Sequence, residues 1–289
     1  MQIGCHGSVW TGTFDVDGLR LAVSKTKEAG FDLLEIPLMD PYGLDVAATK
    51  ELLSDYNLSV TASLGLNENT DISSEDPQIV AAGEKFLGKC LEVLSDIGGT
   101  ALVGVTHGAM QKYSAPPSAR GRQHSVDALA RLAARGQELG VLLGIEVVNR
   151  YESNLLNTSR QGLAFVKDVG HHNATVHLDT YHMNIEEPDM FSPVLICGER
   201  LGYVHIGESH RGYLGSGTVD FDSFFRALAQ IGYDGPVVFE SFSSAVVHED
   251  LSRMLGIWRN LWSDSEDLAA HANSFIRNQI RSVASIQMH

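Results

Sequence analysis

The amino-acid sequence predicts an α/β protein built as one (β/α)8 barrel with an extra C-terminal helix. Three observations carry this. Eight short apolar runs, each followed by a helical pattern, form one unbroken series, and such alternation implies parallel strands joined by right-handed crossovers. The 289 residues, 44% of them hydrophobic, can bury a large core, and no low-complexity segment or Pro/Gly/Ser linker divides them, so residues 1–289 read as a single domain. Four of the later apolar runs stop at a carboxylate or an imidazole, and the C-terminal ends of barrel strands are where such a fold carries chemistry. Alternation alone leaves an open doubly wound sheet as the alternative.

Taken in order, Ile3 to Val9 is the first strand, followed by a helical pattern from Val16 to Ala29 that Gly30 closes as a C-cap. Leu33 to Pro37 is strand, Val46 to Tyr56 helix, and Ser59 to Leu64 strand. Pro77 to Ile97 is a long amphipathic helix ended by Gly98-Gly99, and Ala101 to Val105 is a short apolar strand. Ser125 to Leu139 reads as helix, closed by Gly140, and Val141 to Val148 as a β-branched strand. After the N-cap region Asn157-Thr158 comes a helix from Gln161 to Val169, then a strand from Thr175 to Leu178. Pro193 to Arg200 is helix, Tyr203 to Ile206 strand, Phe221 to Ile231 helix, and Val237 to Phe239 strand. Two helices, Leu251 to Trp262 and Leu268 to Ile286, close the chain.

Composition excludes several functions. A net charge of −15 argues against a nucleic-acid surface, which needs clustered Lys and Arg. No apolar run reaches the roughly 18 residues that span a bilayer, and the start, Met1-Gln2-Ile3-Gly4-Cys5-His6, lacks a signal peptide's regions. The expectation is a cytoplasmic protein without membrane contact. Cys5, Cys90 and Cys197 are odd in number and far apart, so they are expected as buried apolar groups and not as disulfides or thiolate ligands.

The chemistry lies where the strands end. Leu142-Leu143-Gly144-Ile145 stops at Glu146, Val176-His177-Leu178 at Asp179, Tyr203-Val204 at His205, and Val237-Val238-Phe239 at Glu240. After Asp179 a polar segment rich in His and Glu follows in place of a helix cap, so the buried carboxylate, which would cost several kcal/mol unpaired, needs another partner. One strand-end carboxylate is ordinarily a cap or a salt bridge. Four such groups on successive strands converge on one side of a barrel mouth and repel one another unless a cation sits among them. Three oxygen donors and one nitrogen suit Mn²⁺, Mg²⁺ or Co²⁺, and the donor set alone leaves zinc open. Glu152, His182 and Arg211 follow close behind these ends and read, as a set, as a pocket for a polyhydroxylated or carbonyl substrate. The run Gly212 to Gly217 matches no phosphate-binding spacing and reads as a loop. Phe242, with Trp10, Met39, Met110 and Tyr113, is either core filling or the lipophilic wall of a pocket.

Four segments are familiar: Leu143 to Glu152, His177 to Glu187, Val204 to Arg211 and Phe239-Glu240-Ser241-Phe242. They resemble the ketose 3-epimerases, which include D-tagatose, D-allulose (D-psicose) and L-ribulose 3-epimerases within the xylose-isomerase-like TIM barrels. The likeness runs from Gly30-Phe31-Asp32 to Ile257-Trp258-Arg259 and is nearest in character to bacterial D-allulose 3-epimerases. It implies one divalent ion, Mn²⁺ foremost with Co²⁺ or Mg²⁺ as alternatives, held by Glu146, Asp179, His205 and Glu240. Glu152, His182 and Arg211 would hydrogen-bond sugar oxygens. Glu146 and Glu240 would act on opposite faces of an enediolate, Glu240 taking the C3 proton of the D-fructose-type epimer and Glu146 that of the D-allulose type. His6, Ser63 and the stretch Thr106 to Met110 lie where the family contacts O4 to O6. The family also implies a homo-oligomer, a tetramer before a dimer, with Trp258, Trp262 and Phe275 at interfaces or in the core. Glu186 and Glu187 are expected to be structural or interfacial. The alternatives are an aldose–ketose or hydroxypyruvate isomerase on the same barrel and, against the charge, an apurinic-site endonuclease.

Overall fold

Eight parallel strands pair in chain order and close on themselves in the computed structural model, which describes residues 1–287. They are β1 (Ile3–His6), β2 (Leu33–Pro37), β3 (Ser59–Leu66), β4 (Ala101–Ala109), β5 (Leu142–Val147), β6 (Ala174–Asp179), β7 (Leu201–Ile206) and β8 (Val237–Phe239), and β8 returns to pair with β1. The outer ring is α1 (Val16–Glu28), α2 (Val46–Asp55), α3 (Pro77–Asp96), α4 (Ala119–Leu139), α5 (Ser159–Val169), α6 (Thr180–Glu186), α7 (Ser192–Cys197), α8 (Phe221–Gln230), α9 (Glu249–Leu255) and α10 (Ser265–Gln287).

Local chemistry sets these boundaries. Asp15, Asp45, Asp76 and Ser118 each accept a backbone N–H at the start of α1 to α4, and Thr158 with Gln161 forms a reciprocal capping box on α5. Gly140 and Gly170, both with φ near +70°, end α4 and α5 in the left-handed conformation that glycine adopts without strain. Most of the core lies between strands and helices, where α8 buries Phe221, Phe224 and Phe225. A second, smaller apolar cluster of Leu33, Ala101, Val103, Tyr203 and Val238 fills the barrel axis. Gly4 and Gly144 make room for it, since a Cβ at Gly4 would stand 2.5 Å from Leu33 and one at Gly144 2.8 Å from Val103. Side chains two apart share a face, so Glu35, His205 and Glu240 stand directly above Leu33, Tyr203 and Val238.

The structure departs from expectation in several places. The strand expected over Ile3–Val9 ends at His6, where the chain turns into a single 3-10 turn, Gly7–Val9, whose Ser8 N–H bonds His6 Nδ1, and the helix expected over Pro193–Arg200 ends at Cys197, with a 3-10 turn over Gly198–Arg200 after it. β4 continues to Ala109 because Thr106, His107 and Gly108, polar or flexible in isolation, stay in the sheet. α4 starts at Ala119, capped by Ser118, six residues earlier than periodicity indicates. The helix expected over Leu251–Trp262 is limited to α9: Gly256 at φ +66° stops it, and Trp262 is buried, donating its indole N–H to Ser241 Oγ at 2.8 Å. Finally, Asp179 does cap a helix, α6, accepting the Tyr181 N–H on Oδ1 at 2.8 Å. The three cysteines are free and buried, and among the described residues no helix is long and apolar enough to cross a membrane.

Candidate functional site

Glu146 lies near the end of β5, Asp179 ends β6, His205 faces Asp179 in the β6–β7 register, and Glu240 follows β8 directly. All four are buried. His205 Nδ1 stands 3.8 Å from Glu146 Oε1 and 3.5 Å from Glu240 Oε1. Ligand-type atoms of Asp179, His205 and Glu240 lie within 4.8 Å of one another, as do those of Glu146, Asp179 and His182. The four strand ends therefore meet around one point at the barrel mouth.

The residues fit a divalent ion. His205 Nδ1 is buried without a hydrogen-bond partner, and Asp179 Oδ2 is buried with no hydrogen bond and only the Arg211 guanidinium as a charge partner, 3.0 Å away, a costly condition that a cation between them would relieve. His205 donates through Nε2 to Glu35 at 2.9 Å and turns Nδ1 toward the carboxylates. Burial opposes charge on this imidazole, but Glu35, Glu240 and Glu146 outweigh it and push the ring up to about 10, so without an ion it carries a positive charge that a bound cation would replace. His182 is arranged the opposite way. Its Nδ1 accepts from the Asn149 backbone N–H at 3.2 Å and side-chain N–H at 2.8 Å, so its Nε2 carries a hydrogen toward Asp179, Glu146 and Glu152. That makes His182 a donor to a bound oxygen and not a ligand. The Arg211 guanidinium stands among the acids, Nη1 2.7 Å from Glu240 Oε2 and 3.0 Å from Asp179 Oδ2, stacked 3.9 Å over the Tyr181 ring.

These neighbours separate the two glutamates. Burial pushes the Glu146 carboxyl well up, with Glu240 and Asp179 adding to it against His205 and Arg211. Burial also raises Glu240, but Arg211, His205 and His6 outweigh it and hold that carboxyl below its usual range. Burial first, with the charges of Arg211 and His205 adding to it, drives His182 far down.

Above the centre lies a cavity of about 620 Å³. Of the residues expected from the sequence, His6, Ser63, Met39, Met110, Glu146, Glu152, His182, His205, Arg211, Glu240 and Phe242 line it, and Asp179 lies fully buried at its edge. Phe14, Leu38 and Met254 extend its apolar wall toward the mouth. His107 is turned outward against Phe165, bonded to Ser153 Oγ at 3.1 Å. Trp10 and Tyr113 lie elsewhere, bonded to Thr26 and Asp71. The glycine-rich loop is held by Glu208, whose carboxylate accepts the N–H groups of Ser209, Gly215 and Val219. Glu186 pairs with Arg150 at 2.7 Å and Glu187 accepts the Ser159 N–H at the start of α5, so both brace the loops behind the centre.

Sequence reasoning passed over Glu35, a fully buried carboxylate in the middle of β2. Its one signal is a charge inside the otherwise apolar run Leu33-Leu34-Glu35-Ile36-Pro37. Burial pushes Glu35 up, but His205, His6 and Tyr203 around it hold it well below the usual carboxylate range.

Comparison with known proteins agrees with this geometry. Residues 23–279 match the family model described as a xylose isomerase-like TIM barrel. A ketose 3-epimerase of Arthrobacter globiformis is 58% identical over 289 residues, covering 100% of both chains. An L-ribulose 3-epimerase of Methylomonas sp. is 53% identical over 279 residues, covering 96% of this chain and 98% of the other. The crystal structure of a D-allulose 3-epimerase from Methylomonas sp. in complex with D-allulose superposes with a TM-score of 0.95 at 53% identity, covering 96% of this chain and 97% of that one.

Proposed function

Because the chain belongs to the ketose 3-epimerases, a family of xylose isomerase-like barrels, we propose that it inverts C3 of free ketoses of the D-fructose/D-allulose type. The observation that carries this reading is the pair Glu146 and Glu240. They come from strands three apart, reach the same His205 Nδ1 at 3.8 and 3.5 Å, and are pushed in opposite directions by their surroundings. Groups separated in this way suit the roles of acid and base.

A ketose C3 proton is weakly acidic because it lies next to the C2 carbonyl. Glu240, held below its usual range, removes it from the D-fructose-type epimer, and Glu146, pushed above its usual range, acts as the acid that returns a proton to the opposite face. In the reverse direction the two exchange roles. Glu146, Asp179, His205 and Glu240 would hold a divalent ion, Mn²⁺ before Co²⁺ or Mg²⁺, which would supply Lewis-acid relief of the negative charge developing on the substrate. His182 presents its Nε2 hydrogen, and Arg211 and Glu152 complete the polar contacts near the reacting carbons. His6 and Ser63 with Phe242 meet the distal end of the sugar.

Incubation with Mn²⁺ and a series of ketoses in D₂O tests the proposal. Deuterium at C3 together with the epimer is the expected outcome. Label at C1 alone favours an aldose–ketose isomerase on the same centre, and no exchange with any ketose overturns the assignment. A homo-oligomer, a tetramer before a dimer, is part of the same reading. Trp258, 76% exposed, supports it, whereas Trp262 and Phe275 pack in the core. Sedimentation of a single monomeric species would remove that part.

A further inference from the structure

Glu35 takes no part in the reaction as derived, yet it occupies the barrel axis directly beneath the reacting centre. The strand register sets it opposite His6 on β1 and Thr61 on β3. Its two oxygens lie 3.0 and 2.9 Å from His205 Nε2, and Oε2 also accepts the Tyr203 hydroxyl at 2.6 Å. Tyr203 has one hydrogen and spends it on Glu35, so Thr61 Oγ1, 2.7 Å away, must donate to the Tyr203 oxygen. The chain of donors runs one way, Thr61 to Tyr203 to Glu35, and His205 donates to the same carboxylate from above.

Two rings pack edge-on against His205 but offer it no hydrogen-bond partner. His177 meets the imidazole edge-on at 4.2 Å and 89°, and Tyr203 does so at 5.7 Å and 76°. A ligand role for Glu35 itself fits poorly. Although Glu35, His6 and Glu240 are near enough to share an ion, both Glu35 oxygens already hold donors. His6 also presents a hydrogen there: its Nδ1 accepts the Ser8 N–H at 3.2 Å, which puts the ring hydrogen on Nε2, 3.2 Å from Ser63 Oγ.

We propose that Glu35 is the positioning residue of this centre: by holding the Nε2 hydrogen of His205 it fixes the ring plane and aims Nδ1 at Glu146, Asp179 and Glu240, the side from which an ion would take it as a donor. The Thr61–Tyr203 pair holds Glu35 in turn and keeps it below the ligand set. A carboxylate behind a ligating imidazole sets its orientation and strengthens it as a donor, and losing such a partner typically weakens metal affinity by about 10–100-fold. The inference rests on the reading that the centre holds a divalent ion.

Two measurements test it without any ketose. The first is Mn²⁺ titration, following the free ion by electron paramagnetic resonance, on the unaltered protein, Glu35→Gln and Tyr203→Phe. Glu35→Gln should bind about 10–100-fold more weakly, and Tyr203→Phe, which keeps the Glu35–His205 contact, should fall between. A folded Glu35→Gln with unaltered affinity overturns the proposal. Unaltered protein that binds no Mn²⁺ overturns the metal reading and this inference with it. The second is imidazole ¹⁵N spectroscopy on the unaltered ion-free protein, so the proposal remains exposed even if Glu35→Gln does not fold. A hydrogen on His205 Nε2 supports it, and a neutral ring carrying its hydrogen on Nδ1 refutes it.

Discussion

Replacing Arg211 with methionine should make the ion-free protein markedly less stable and the Mn²⁺-loaded protein much less so. The guanidinium lies 2.7 Å from Glu240 and 3.0 Å from Asp179, with side chains 13%, 9% and 0% exposed, so solvent screens the pairs little. Removing one partner of a buried ion pair leaves uncompensated charge and costs about 3–5 kcal/mol. Methionine keeps the stem and a Cβ, so the positive φ of 60° at this position is common to both chains and cancels in the difference. An ion bound only by the folded state adds stability by mass action, about 2.7 kcal/mol at a hundred times its dissociation constant. The variant's centre lacks one positive charge, holds Mn²⁺ more tightly, and should recover a large part of its deficit. Urea unfolding of both proteins, in chelator and in saturating Mn²⁺, measures the two differences. A deficit below about 1 kcal/mol in chelator, the value of an ordinary exposed pair, refutes the argument, as does a deficit that Mn²⁺ leaves unchanged.

Three further outcomes follow from the same geometry. Glu146→Gln and Glu240→Gln should each lower turnover of D-fructose and D-allulose by at least about 10²–10⁴-fold, the contribution of one general acid or base; initial rates within tenfold for either variant would exclude the two-glutamate scheme. Exhaustive chelation should abolish epimerisation and Mn²⁺ or Co²⁺ should restore it, whereas full activity in a preparation shown by elemental analysis to be metal-free would remove the ligand set. Gly104→Ala should destabilise the fold by at least about 1–3 kcal/mol, the cost of a strained backbone conformation, since φ is +102° and the new Cβ would stand 2.2 Å from the Leu64 carbonyl oxygen; an unchanged thermal midpoint would contradict it.

The barrel and the residues gathered at its candidate site were legible for one physical reason. A carboxylate or imidazole that ends an apolar run marks both the strand and its exit, and Glu146, Asp179, His205 and Glu240 all do so. Glu35 escaped that rule because it sits in mid-strand, where a lone charge gives no hint of the His205 and Tyr203 partners 170 and 168 residues away. Asp179 was read as ending a strand without a cap because the sequence does not reveal that one carboxylate can divide its oxygens, Oδ1 to α6 and Oδ2 to the centre. The extension of β4 through His107 was hidden for a related reason: its burial depends on Phe165 and Ser153, which lie on other elements. Gly256, by contrast, was a readable stop signal inside the expected helix over Leu251–Trp262, and the apolar residues beyond it belong to the core instead.

The apolar plug of Leu33, Ala101, Val103, Tyr203 and Val238 across the barrel axis has a consequence for traffic. With that end stoppered, sugar, product and solvent hydrogen all pass through the mouth lined by Phe14, Leu38 and Met254. A bound ketose then works as its own cork. While it is seated, the carboxylates beneath it are cut off from the bulk, and solvent reaches them again only as fast as the sugar lets go. The rate at which solvent hydrogen reaches the centre would therefore report how long the cork stays in.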